Sequence, residues 1–265
     1  MSVDDSEAGS GAHQEEGLLE TVKTVALALL IALVIRSFLF QPFNIPSGSM
    51  IPTLEVGDFI FVSKYSYGYS RYSLPFSPPI ISGRIFGSEP ERGDVVVFRN
   101  HPDTGPGQTG KGTDFIKRVI GLPGDRVQMI NGLLFINGEP IPRKSLGGFH
   151  SVSPPYDAAT IPSFAETLPS GRTYVTLDAC PPPTLCSRDN TREFVVPEGK
   201  FFVMGDNRDN SEDSRIASGV GFMDAEELIG KAQIIFFSFH AEGEPFKFWE
   251  WPMKVRWERL FTRIR

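Results

Sequence analysis

Histidine is scarce in this sequence. Four are present, at positions 13, 101, 150 and 240, and none has metal-ligand spacing. A histidine-based metal centre is excluded on that ground, and a serine–histidine–aspartate triad is a poor fit. His101 precedes a proline in a loop and reads as solvated. Cysteine is scarcer still. Cys180 and Cys186 stand in DACPPPTLCS, a proline-rich loop. Two thiols cannot supply four metal ligands. A disulfide closing a small loop outside the cytoplasm is the favoured reading, with two free thiols as the alternative.

Clustered positive charge is missing too. The formal net charge is −6, and residues 1–20 carry six acids with no Lys or Arg. No nucleic-acid partner is expected without a basic face. GPGQTGKG at 105–112 falls short of a phosphate-binding loop, because Gly112 stands where Ser or Thr would hold magnesium. GDNRDNSEDSR at 205–215 is acid-rich. Read as a calcium loop from Asp209, it places Ser214 where glycine is required. No metal and no cofactor is expected.

Phenylalanine and proline are abundant, 22 of each among 265 residues. With frequent glycine this favours strands and turns over long helices. Runs rich in β-branched and aromatic residues recur at 59–65, 94–100, 115–121, 126–130, 133–138, 193–197, 201–205 and 232–239. INGLLFING predicts a hairpin turning at Asn131-Gly132. The body is therefore expected to be mainly β, an antiparallel sheet, with a core from 41–139 and 193–240. Residues 65–93 and 140–192 read as loop-like insertions, the second an inserted subdomain. MDAEELIG at 223–230 is one short helix candidate, with Asp224 as N-cap and Gly230 as stop.

Residues 1–17 are polar and acidic and read as a disordered tail. A long apolar run follows, from Leu18 to Phe40, with twelve uncharged residues between Thr24 and Ile35. With its flanks it reaches the roughly 20 residues needed to span a bilayer. Cleavage as a signal peptide is disfavoured, because Phe38-Leu39-Phe40-Gln41-Pro42-Phe43 follows the apolar core where small residues are needed. A retained transmembrane anchor is expected over a buried helix of a soluble protein. Residues 241–265 form a basic tail. Met253, Trp257, Leu260, Phe261 and Ile264 recur at helical spacing beside Lys254, Arg256, Arg259, Arg263 and Arg265. A basic amphipathic helix at the membrane interface and a terminal helix packed on the body are equally consistent.

The chemistry concentrates in two places. Ser49, in PSGSMIPTL, has a glycine beside it and prolines around it. Glycine lets a backbone approach a substrate closely, but a serine nucleophile needs a general base. Lys117, in FIKRVIGLPGD, stands in a strand-like run where Phe115, Lys117 and Val119 share a face. A desolvated lysine loses charge more readily. Roughly one unperturbed lysine in a thousand is neutral at about pH 7.4, so the shift must be a few units. A solvated edge-strand lysine is the alternative.

PSGSMIPTL (46–54), RGDVVVF (92–98), FIKRVIGLPGD (115–125) and GDNRDNSEDSR (205–215) occur in this order behind the apolar run. Together they resemble bacterial type I signal peptidase, the leader peptidase family. The resemblance implies a serine–lysine endopeptidase that removes signal peptides from secreted preproteins after small residues in an A-x-A pattern. Matched motif by motif, it implies Ser49 as nucleophile and Lys117 as general base. Ser47 and the Ser49 N–H would form the oxyanion hole, and Ser211 would orient Lys117. Asp213 and Arg215 would form a supporting ion pair. Phe43, Ile45, Met50, Phe115 and Ile116 would line apolar pockets.

The resemblance also implies a single-pass protein of the bacterial inner membrane, its catalytic domain on the exterior side, with preproteins and membrane lipid as partners. A monomer is the default. A specialised peptidase for one substrate, and a catalytically silent peptide-binding protein, are the rival readings.

Overall fold

The computed structural model describes residues 8–75, 77–100, 112–150, 160–216, 219–240 and 254–265, with side chains from Leu19 onward. His101, nearly all of the 105–112 stretch and the first part of the basic tail lie outside the described residues. Helix α1 (Ala8–Phe38) opens the chain. Its segment Leu19–Phe38 is 20 residues long, has a mean hydropathy of 1.9 and is almost wholly unburied. That length and composition suffice to cross a bilayer. The tail expected to be disordered is instead helical from Ala8. Extending a nucleated helix costs far less than starting one, so the apolar segment carries polar residues with it.

After one residue the chain enters β1 (Phe40–Asn44), then β2 (Asp58–Ser63), β3 (Val95–Asn100) and β4 (Thr113–Gly121). The hairpin β5 (Arg126–Ile130) and β6 (Leu133–Ile136) leads to the short β7 (Glu139–Pro140). Strands β8 (Arg143–His150), β9 (Thr160–Thr167) and β10 (Thr173–Leu177) follow. Then come β11 (Phe194–Val195), β12 (Lys200–Met204), β13 (Met223–Asp224), β14 (Leu228–Ser238) and β15 (Thr262–Arg263). The main sheet runs β1-β2-β14-β3-β4-β12-β13, with β15 added to β14. Every pairing within it is antiparallel.

Strand β3 shows why the main sheet is buried on both sides. Val95 and Val97 enter a core with Met50, Leu54 and Ile60. Val96 and Phe98 enter another with Val119, Phe201 and Val203. Period-2 alternation sends successive side chains to opposite faces. Each fully buried side chain of this kind contributes about 1.5–3 kcal/mol. The expected hairpin turn at Asn131-Gly132 forms between β5 and β6, with positive φ at both residues (49° and 76°). Two such angles define the turn that matches strand twist, and glycine adopts its share without strain.

Three expectations need correction. The 140–192 insert is not loop-like: β10-β9-β8 form a three-stranded sheet of their own. Backbone pairing builds it, because β8 carries Gly147 and Gly148 and β9 carries Pro162, so no apolar alternation marks them. MDAEELIG makes one 3-10 turn, Ala225–Glu227, and then becomes β14. Asp224 does cap it, in a capping box with Glu227, but pairing with β3 claims Leu228 onward. The described end of the chain is not an amphipathic helix. It makes a 3-10 turn at Trp257–Arg259 and then β15. Ion pairs draw it inward: Arg256 and Arg259 both bond Glu55 and Asp58.

Candidate active site

Strand β1 delivers Ser49. Its register pairs Phe43 with Ile60, and the ladder continues as Ile45 N–H donates to the Asp58 carbonyl at 2.8 Å. β1 is an edge strand, so Pro42 costs no ladder bond to a second neighbour. The chain then turns through Ser47 into a 3-10 turn, Gly48–Met50. Met50 is fully buried in the core below, and Ser49 is 7% exposed.

Strand β4 delivers Lys117 from the other side. β4 pairs with β3 (Val96 opposite Lys117) and with β12 (Met204 opposite Arg118). Lys117 shares the face of Phe115 and Val119, as alternation requires. It is 3% exposed. Its Nζ lies 2.8 Å from Ser49 Oγ and 2.9 Å from the Ile116 carbonyl. Burial pulls the amine down from an ordinary 10.5 to about 8, while Asp213, Asp206 and Glu212 pull it partly back. A buried ammonium loses its hydration, and this is the dominant effect.

The 205–215 stretch leaves β12 and folds against both. Gly205 permits this. A Cβ there would stand 2.2 Å from Ser211 Oγ and 2.5 Å from the Ser49 carbonyl oxygen. Asp213 and Arg215 form a buried ion pair at 2.9 Å, and Asp213 Oδ2 also accepts the Gly205 N–H. Burial alone would raise the Asp213 carboxyl, but Arg215 outweighs it and holds it below its ordinary value. Ser211 is brought to this cluster without the bond expected of it. Its Oγ is buried beside Asp213 and packs on Gly205, and it makes no bond to Lys117.

Ser47 is exposed beside the turn and does not cap it through its side chain. A cavity of about 40 Å³ adjoins the site, lined by Phe43, Ile45, Ile60, Val97, Phe115 and Ile116 among others. It gathers four of the five residues expected to line pockets. Met50 does not reach it. The volume accommodates a methyl-sized group.

Sequence reasoning missed three residues here. Arg118, fully buried, makes two 2.7 Å bonds to Asp206 and donates to Thr53 Oγ1 at 3.2 Å. Its signal was the alternation itself: a charged neighbour of an inward lysine also needs a buried partner. Asn207 donates from its side chain to the Gly48 carbonyl at 2.9 Å and from its backbone to the Ser49 carbonyl at 3.1 Å. Arg188, in the insert, donates to the Ser211 carbonyl at 2.7 Å. It follows the Cys180–Cys186 disulfide, whose Cα atoms are 5.5 Å apart.

Comparison with known proteins points one way. Residues 18–237 match the family described as signal peptidase, peptidase S26. Signal peptidase I of Rickettsia canadensis is 46% identical over 221 residues, 82% of this chain and 78% of that protein. Signal peptidase I of Rickettsia conorii is 42% identical over 245 residues, 90% of this chain and 85% of that one. A crystal structure of a signal peptidase I from Enterococcus faecalis is 27% identical, covers 54% of this chain and 97% of its own, and gives a TM-score of 0.29. The length and identity of these sequence matches show that the chain belongs to the signal peptidase I family of serine endopeptidases, peptidase family S26.

Proposed function

We propose that this protein is a membrane-anchored signal peptidase working through a serine–lysine dyad. The observation that carries the reading is the 2.8 Å separation of Lys117 Nζ and Ser49 Oγ, with the lysine buried. A neutral Lys117 accepts the Ser49 hydroxyl proton as Oγ bonds to the scissile carbonyl carbon. The carbonyl π electrons move to oxygen, where the Ser49 N–H and the Ser47 hydroxyl receive them. Lys117 then gives its proton to the departing amine, and the mature protein leaves with a free amino terminus. Water, deprotonated by Lys117, adds to the acyl-enzyme and releases the signal peptide.

In this reading Asp213 and Arg215 hold the 205–215 stretch against the dyad, with Ser211 packed on Gly205. The 40 Å³ cavity beside Ile116 favours small side chains such as alanine, which supports cleavage after A-x-A. Segment Leu19–Phe38 anchors the chain once, and the β body lies on the exterior face of the bacterial inner membrane. Ser49 stands nine residues past Phe40. The scissile bond lies at that same interface, so tethering raises its effective concentration.

The test is cleavage of a preprotein carrying an A-x-A site, in detergent, by wild type, Ser49→Ala and Lys117→Ala. Wild type should cut after that site. Both variants should fold and lose at least about 10³-fold in rate. Near-normal cleavage by Lys117→Ala would remove the lysine from the mechanism. Digestion of the β body by protease added to intact spheroplasts checks the exterior placement.

A further inference from the structure

Asn207 has no part in the proton transfers, yet it is 1% exposed and directly behind the nucleophile. Its side-chain amide donates to the Gly48 carbonyl at 2.9 Å, and its backbone N–H donates to the Ser49 carbonyl at 3.1 Å. A carbonyl can only accept, so the nitrogen end of the amide must face Gly48. The turn's own closing bond to that carbonyl, from Ile51 N–H, is longer at 3.3 Å. Asn207 is itself gripped from behind by the inserted subdomain. Leu177 N–H donates to the Asp206 carbonyl at 2.9 Å, and Arg208 N–H donates to the Leu177 carbonyl at 2.9 Å.

Peptide planarity converts these bonds into an orientation. The Gly48 carbonyl and the Ser49 N–H belong to one trans peptide unit. The two groups therefore point in opposite directions. Asn207 holds the carbonyl on its own side, so the Ser49 N–H faces away from Asn207. We propose that Asn207 is the positioning residue of the oxyanion hole. It touches no reacting atom; it fixes the peptide plane whose N–H receives the developing negative charge. A preorganised donor is effective because it needs no reorientation during reaction. This inference rests on the reading of Ser49 as nucleophile.

The experiment uses the full chain in detergent with two peptides that match the cleavage site. One ends in an aldehyde and the other in the corresponding alcohol. On the aldehyde, Ser49 Oγ bonds to the carbonyl carbon, the π pair moves to oxygen, and the serine proton passes to Lys117. The alcohol cannot form this adduct and reports ground-state binding alone. Affinities are measured for wild type, Ser49→Ala, Asn207→Ala and Asn207→Asp, with the pH dependence of kcat/KM.

Asn207→Ala should bind the aldehyde at least about tenfold more weakly, short of the roughly 10²–10³-fold cost of deleting a donor outright. Its affinity for the alcohol and its pH midpoint should stay at wild-type values. Asn207→Asp keeps the size and the backbone bond but turns an acceptor on Gly48, so its aldehyde loss should be at least as large. Equal losses for both peptides, no loss in either variant, or a shifted pH midpoint would each overturn the assignment. Equal aldehyde affinity in wild type and Ser49→Ala would instead show that the nucleophile reading has failed, and the inference with it.

Discussion

Ser211 packs directly on the backbone of Gly205, its Oγ only 2.2 Å from where a Cβ on that glycine would stand. The Ser49 carbonyl closes the same space at 2.5 Å. Neither neighbour can withdraw cheaply, because both residues are buried within the packed site. Gly205→Ala should therefore displace the nucleophile turn or the Ser211 loop. The expected outcome is a folded protein, destabilised by about 1–3 kcal/mol, with cleavage lowered at least about 10²-fold. A thermal midpoint and a preprotein cleavage assay decide it. Wild-type rates would show that the two loops have room to move.

Lys117 sets a pH dependence whose sign is fixed. Its amine titrates at about 8 in the folded protein, against an ordinary 10.5. The neutral form is the base, so kcat/KM should rise as pH passes upward through about 8. Stability follows the same direction. Between about 8 and 10.5 the unfolded chain binds more protons than the folded one, so stability increases with pH across that window. At neutral pH the folded state carries the full cost of burying this lysine. Lys117→Met should then be more stable than wild type at pH 7, by on the order of 3 kcal/mol. The difference should shrink as pH rises and fade above about 10.5. Denaturant titrations at pH 7 and near 10.5 measure it, and a less stable Met variant at pH 7 contradicts it.

The small cavity at the site makes a prediction about substrate choice. Ile116 lies on the β4 face opposite to Lys117 and helps to close a space of about 40 Å³. Ile116→Ala removes three carbon atoms from that wall. A variant so widened should cleave preproteins with valine or leucine in place of the small residue, while alanine substrates lose less than about tenfold. Product sequencing on a series of substituted preproteins gives the answer. Unchanged preference would assign selectivity to another surface.

The sequence disclosed most of the main sheet because its strands are buried on both faces. VVVF at 95–98 can only be a strand interior, and FIKRVIG carries its lysine on the apolar face. The strands that were missed lack this signal. β8 reads RKSLGGFH and is largely exposed, so its pairing depends on backbone bonds that no side-chain pattern records. The amphipathic period seen in the tail was genuine in spacing, but burial of Arg256 and Arg259 against two carboxylates outweighed it. At the site, Ser49 and Lys117 were legible because each stands in a distinctive motif. Asn207 was not, because its part depends on two carbonyls of a loop 159 residues away in sequence.

That tail contact can be tested through Asp58, which is fully buried. Asp58 accepts two bonds from Arg259, at 2.5 and 3.0 Å, and one from Arg256 at 3.3 Å. It also accepts from Ser238 Oγ at 2.6 Å and from the Glu55 N–H at 2.8 Å. Asp58→Asn keeps the shape and removes the charge, leaving Glu55 as the one carboxylate that the two guanidinium groups share in this cluster. Breaking a buried charge network in this way costs about 3–5 kcal/mol. A tail held at the membrane surface predicts no such loss in detergent. Because the groups are buried, raising salt should do little to wild-type stability. Arg259→Met should also destabilise, but the double variant should lose less than the sum of the two, since each removes the same contact. Strict additivity would mean that Asp58 and Arg259 act separately, and that something other than this ion pair holds the tail on the sheet.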